Sequence, residues 1–185
     1  MKKLNLLCLS LVLIGAQACN GDVKDDEQPG AAKDMTKIAV PMDRDDAQFA
    51  AEAANSEIAE VELGKLAVKN GRDKRVKNFG AMMIKDHAKA TAKLEVIAKS
   101  KKIILPTAVD SANQKMMDIL AKNSGAAFDR AYLDDMVKDH EANIKLFQSA
   151  SKQLMDPDLR RYAARNLLTF KRHLDAIDGI KGSIR

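Results

Sequence analysis

The chain has 185 residues, with 31 lysines and arginines against 26 aspartates and glutamates, for a formal net charge of +5. The two signs are interspersed, no basic block stands out, and tryptophan is absent, which argues against a nucleic-acid surface and against stacking platforms for single strands. The cysteines are only Cys8 and Cys19, too few for a thiolate metal cluster or a disulfide framework.

The first segment reads as an export signal over residues 1–18. Lys2 and Lys3 form a positive start, Leu4 to Gly15 a short apolar run, and Ala16-Gln17-Ala18 a small-residue cleavage site. Cys19 follows at once. Ala16-Gln17-Ala18-Cys19 resembles a lipobox, with alanine where leucine is usual, so Cys19 is expected to carry the acyl anchor of a bacterial lipoprotein. That implies the cell envelope: an outer-membrane lipoprotein facing the periplasm or the cell surface. Residues 19–43 are polar, aperiodic and carry Pro29-Gly30 and Pro41, so they read as a disordered tether. Within it, Lys24-Asp25-Asp26-Glu27 resembles the acidic export signal of surface lipoproteins and equally reads as a solvated charge run.

Residues 44–185 read as one helical bundle domain. Alanine, lysine, leucine, methionine and glutamate dominate, and strand-like alternation is missing. Expected helices run from about Asp45 to Asn70, Asp73 to Lys101, Ser111 to Asn123, Ala126 to Met155, and Pro157 to near Gly179. Four are long and one is short. Two long hairpins joined by a crossover that holds the short helix give an all-α, ferritin-like four-helix bundle. An irregular five-helix bundle is the alternative topology.

One pentapeptide pattern occurs twice, as Met83-Ile84-Lys85-Asp86-His87 and Met136-Val137-Lys138-Asp139-His140. At about 100° per residue, His87, His140 and His173 each sit at the centre of an apolar stripe on their own helix. The first helix has no histidine, and its stripe centres on Glu60. Counting outward from the turn at Gly71, Glu57 matches the height of His87 better, whereas Glu60 has the better phase. Counted from Pro157, His140 and His173 fall at one level.

These residues form a candidate ligand set. Imidazole suits copper, zinc or iron, and Glu60 or Glu57 would complete a four-ligand site for one transition metal ion. Met83 and Met136 stand four residues before a histidine, and a thioether there would favour Cu(I). Asp86 and Asp139 fall at the stripe edge, where they could orient a histidine of a neighbouring helix. The competing reading is structural: buried neutral histidines with hydrogen-bonded partners and gap-filling methionines are common in cores. The glutamate three residues before histidine that marks di-iron carboxylate bundles is missing, since Ile84, Val137 and Phe170 stand there. No phosphate loop, nucleophile elbow or zinc-protease helix motif is present.

From about Phe49 to Leu174 the chain resembles the bacterial family catalogued as domain of unknown function 4142. The matching residues are Ala59-Glu60-Val61-Glu62-Leu63-Gly64, Met83 with Asp86-His87, Leu105-Pro106, Phe128-Asp129-Arg130-Ala131-Tyr132, Met136-Val137 with Asp139-His140, and His173-Leu174. Leu168 departs from the pattern, which tends to have proline there. The resemblance implies an exported, ferritin-like bundle and brings no activity with it. The sequence therefore favours an envelope interaction or stress-associated module, not an enzyme. Its partners would be a membrane, through the lipid anchor, and a protein. The alternative is a transition-metal-binding bundle.

Overall fold

Aspartates begin four of the five helices. In the computed structural model, which describes residues 43–184, these are α1 (Arg44–Asn70), α2 (Lys74–Lys101), α3 (Ser111–Leu120), α4 (Gly125–Gln153) and α5 (Pro157–Lys181). The Asp43, Asp73, Asp110 and Asp156 carboxylates accept the otherwise orphaned backbone N–H groups of Asp45, Arg75, Asn113, and Asp158 with Leu159, at 2.8–3.0 Å. Pro157 at the first turn of α5 loses no hydrogen bond there. At α4 Ser124 makes no side-chain cap, and the helix starts on Gly125 at φ +61°, a conformation glycine adopts without a Cβ penalty. The signal, Cys19 and the tether up to residue 42 lie outside the described residues. Asp43, the last tether position, is the cap of α1.

Helix ends differ from the sequence expectation by a few residues. α3 stops at Leu120, where a turn takes over. α5 runs past Gly179 to Lys181, because Ile180 packs against the core and the Ser183 hydroxyl closes the end on the Gly179 and Ile180 carbonyls. No described helix is long and apolar enough to cross a membrane.

Contacts at the helix ends define the topology. α1 packs along α2, and α4 along α5. α1 also meets α4, and α2 meets α5. Gly71, at the end of α1, bridges Gly125, at the start of α4. Asp46, at the start of α1, reaches Met155 and Asp156, beyond the end of α4. Each neighbouring pair is therefore antiparallel, while the diagonal helices α2 and α4 run the same way. The crossover from α2 to α4 travels the length of the bundle and holds α3. This is the ferritin-like arrangement.

At Gly64 and Gly80 the backbones of α1 and α2 touch. A Cβ on Gly64 would lie 2.6 Å from the Gly80 carbonyl oxygen, and one on Gly80 would lie 2.7 Å from both Ala67 Cβ and the Gly64 oxygen.

The interior divides along its length into two apolar clusters. One gathers Phe49, Leu94, Phe147, Leu159, Tyr162 and Phe170. The other gathers Leu63, Val76, Phe79, Met83, Phe128, Tyr132, Met136 and Ile177. On every long helix the residues between these clusters are polar and buried: Glu57 and Glu60 on α1, His87 on α2, His140 and Asn143 on α4, and His173 on α5. A belt of ionisable groups thus crosses the middle of the core, between the two apolar clusters. Burying such groups is costly unless each finds a partner or an ion.

Candidate metal centre

Each histidine faces a carboxylate from a neighbouring helix. His87 Nδ1 lies 2.6 Å from Glu57 Oε2, and the other Glu57 oxygen accepts the Tyr162 hydroxyl at 2.8 Å. His173 Nε2 lies 3.0 Å from Asp86 Oδ2, which also accepts from the Arg172 guanidinium at 2.8 Å. His140 Nδ1 lies 3.3 Å from Glu60 Oε1, without the alignment of a hydrogen bond. An ionised carboxylate can only accept, so at His87 and His173 it selects the tautomer with N–H turned outward. The other nitrogen then offers its lone pair.

Those other nitrogens have no partner. His87 Nε2, His173 Nδ1 and both His140 nitrogens are buried without a hydrogen bond. The three residues each present a candidate ligand atom, and these atoms lie within 4.8 Å of one another. Ring centroids are 5.2 Å apart for His87 and His173, 5.6 Å for His140 and His173, and 6.2 Å for His87 and His140. An ion bonded tetrahedrally to three imidazoles at about 2.0–2.1 Å would place the centroids about 5 Å apart. The cluster is thus close to ligating geometry, and the His87–His140 pair needs the largest adjustment, about 1 Å.

Electrostatics keep two of the rings neutral. Burial, reinforced by the His87 and His173 rings, lowers His140 to about 3. Burial also lowers His173, to about 4, against the opposing hydrogen bond to Asp86. Neutral imidazole is the form that binds metal. Burial raises the Glu60 carboxyl well above its usual range, and the neighbouring Asp139 carboxylate adds to this. The Tyr132 hydroxyl, pushed up by burial and then by Glu60, is buried without a partner as well.

Glu57 and Glu60, which the sequence left as alternatives, serve different histidines. Glu57 reaches across to α2 within its own hairpin, and Glu60 reaches to α4 in the other. Asp86 sits against His173 of α5. Asp139 instead accepts from the Asn143 amide at 2.8 Å and lies with Glu60 and His140 in a second group of candidate ligand atoms within 4.8 Å of one another. Met83 and Met136 are fully buried in the cluster around Phe79 and Tyr132. Tyr162 and Arg172, which hold Glu57 and Asp86 in place, escaped the sequence reading. Tyr162 belongs to the inward stripe of α5, but the phase of one helix does not reveal what a hydroxyl meets on another.

Fold and site together define an all-α bundle that encloses a belt of histidines and carboxylates. The chain belongs to the family described as domain of unknown function (DUF4142), whose model matches residues 31–180. A solved structure of a DUF305 fragment from Deinococcus radiodurans is similar, with a TM-score of 0.68 and 12% sequence identity over 78% of this chain and 99% of that one. At that identity the likeness is one of fold alone. No curated protein matches the chain in sequence.

Proposed function

We propose that the domain binds a transition metal ion in the middle of the bundle, through His87, His140 and His173. The observation that carries this reading is the set of inward nitrogens without hydrogen-bond partners, on rings whose outer nitrogens face Glu57, Glu60 and Asp86. A core histidine kept for packing would be expected to satisfy both nitrogens or to face water. Carboxylates behind metal-ligating imidazoles fix the tautomer and raise ligand basicity. Three nitrogen donors suit copper, zinc or iron. Glu57, fully engaged by His87 and Tyr162, acts here as an orienting group and not as a ligand.

Metal analysis of tag-free protein after exposure to copper, zinc and iron tests the reading. One or more equivalents retained after desalting, and lost in His87→Ala and His173→Ala, is the expected result. Substoichiometric metal in the wild type would sink it. The contacts of the imidazoles with Phe79 and Phe170, at 5.3–6.4 Å between centroids, favour the second reading, an interaction or stress-associated bundle whose histidines are aromatic packing.

The lipobox-like Ala16-Gln17-Ala18-Cys19 supports placing this domain on an envelope membrane, through an acyl chain on Cys19, facing the periplasm or the cell surface. Membrane fractionation of Cys19→Ala is the check. Unchanged membrane association would refute the anchor.

A further inference from the structure

His140 belongs to two clusters at once. With His87 and His173 it forms the imidazole cluster, and with Glu60 and Asp139 it forms a second group of candidate ligand atoms within 4.8 Å of one another. Its Nδ1 lies 3.3 Å from Glu60 Oε1, which leaves Nε2 for the imidazole cluster. Neither nitrogen makes a well-aligned hydrogen bond, although the Met136 backbone lies close to the ring, and His140 is fully buried. Glu60 is fully buried too, and neither of its oxygens makes a well-aligned hydrogen bond, although the Asp139 carboxyl faces it. A buried carboxyl group without a well-aligned hydrogen bond is costly, and it is accommodated either as the neutral acid or by a cation.

We propose that Glu60, Asp139 and His140 Nδ1 form a second cation site, joined to the first through the His140 ring. Its donors are two carboxylate oxygens and one imidazole nitrogen, a set that suits a borderline divalent ion such as Zn(II) or Cu(II). The Asp139 carboxylate is itself held in place. Asn143 donates to Asp139 Oδ2 at 2.8 Å and accepts the Ser56 hydroxyl at 3.0 Å, fixing the carboxylate from behind. The Tyr132 hydroxyl is buried without a hydrogen-bond partner.

Charge balances. A divalent ion held there would take the place of the Glu60 carboxyl proton and the single N–H proton of His140, both leaving to solvent, so the interior would gain no net charge. The His140 ring would then bridge as an imidazolate. Two metal–nitrogen bonds of about 2 Å across one ring set the ions about 6 Å apart. The inference rests on the three-histidine reading, because His140 is common to both sites.

The test is titration of the metal-free full chain with Zn(II) and, separately, with Cu(II). Wild type should take up two ions, and Glu60→Gln and Asp139→Asn should each take up one while circular dichroism reports an unchanged helical fold. Either variant suffices if the other fails to fold. With Cu(II), the electron paramagnetic resonance signal should rise with the first equivalent and fall with the second, because two Cu(II) ions sharing an imidazolate couple antiferromagnetically. A single ion in wild type, unaffected by both variants, would overturn the second site and leave the histidine site standing. Two ions with additive, uncoupled signals would overturn the bridge. No bound ion at all would overturn both readings together.

Discussion

Asp46 and Asp129 hold equivalent places at opposite ends of the bundle. Asp46, on α1, accepts the backbone N–H groups of Met155 and Asp156 at 3.0 Å and so closes the α4–α5 turn. Asp129, on α4, accepts those of Arg72 and Asp73 at 2.9 and 2.8 Å and closes the α1–α2 turn. Each hairpin is therefore capped by an aspartate of the other, and both carboxylates are buried. Replacing either by alanine leaves two turn N–H groups without acceptors and should cost about 1–3 kcal/mol. Because the two sites are a bundle length apart, the costs should add. Urea denaturation of the single and double variants reads this directly. Lys65→Ala, at an exposed pair with Glu62, should change stability by no more than about 0.5 kcal/mol.

Two glycines give a matched contrast. Gly80→Ala puts a methyl 2.7 Å from Ala67 Cβ and from the Gly64 oxygen, so α1 and α2 must separate. The expected loss is about 1–3 kcal/mol. Gly179→Ala meets nothing within 4 Å and should gain up to about 1 kcal/mol from helix propensity. Thermal melts of both variants should shift in opposite directions.

The metal-free protein should lose stability as the solution is acidified below pH 6.5. His140 and His173, lowered to about 3 and about 4, stay neutral in the fold while their unfolded counterparts take up protons below 6.5. Their contribution is complete above 6.5 and is lost as pH falls toward the folded values, each by up to about 1.4 kcal/mol per pH unit. Glu60 works the other way. Its raised folded pKa gives a contribution that is complete below 4.5 and is lost as pH rises. Between 4.5 and 6.5 two histidines oppose one glutamate, so net stability should rise with pH. Removing both histidines, in His140→Gln with His173→Gln, should reverse that slope, as urea midpoints at pH 4.5, 5.5 and 6.5 would show. Asp73, Asp86 and Asp156, whose folded pKa values are lowered, add their own losses only below about 3.8.

The carboxylates behind the rings should govern affinity without being ligands. Glu57→Gln and Asp86→Asn should each weaken metal binding about 10–100-fold with stoichiometry retained. Tyr162→Phe, which strips one donor from Glu57, should lie at the weak end of that range. Competition titrations against a chelator of known affinity would measure all three.

The bundle was legible in the sequence because its signals are local. Aspartate caps, the Gly71 and Pro157 breaks and the apolar stripes each act within a few residues, so helix identities follow from one strand of text. The inward placement of His87, His140 and His173 follows from helical phase for the same reason. The choice between Glu57 and Glu60 did not follow, because counting from one turn compares only α1 with α2. Glu60 meets α4, a helix from the other hairpin. The repeated Met-(Ile/Val)-Lys-Asp-His pattern marks two core-facing helices and does not settle the topology. It falls on α2 and α4, which lie diagonally and run the same way, whereas the equivalent places of Asp46 and Asp129 relate α1 to α4. The two aspartates of the repeat consequently have different fates: Asp86 meets His173, and Asp139 meets Asn143 and the neighbourhood of Glu60.

The three histidines are 0–1% exposed. An ion held between rings so enclosed would enter and leave only through local opening of the bundle. Exchange would then run on the timescale of that opening and not on the strength of the ligands. A chelator in solution would strip the ion at a rate that stops depending on chelator concentration once opening is limiting. A bundle with a site of that kind would suit keeping an ion, as a reservoir or a structural pin, and not passing it rapidly from hand to hand.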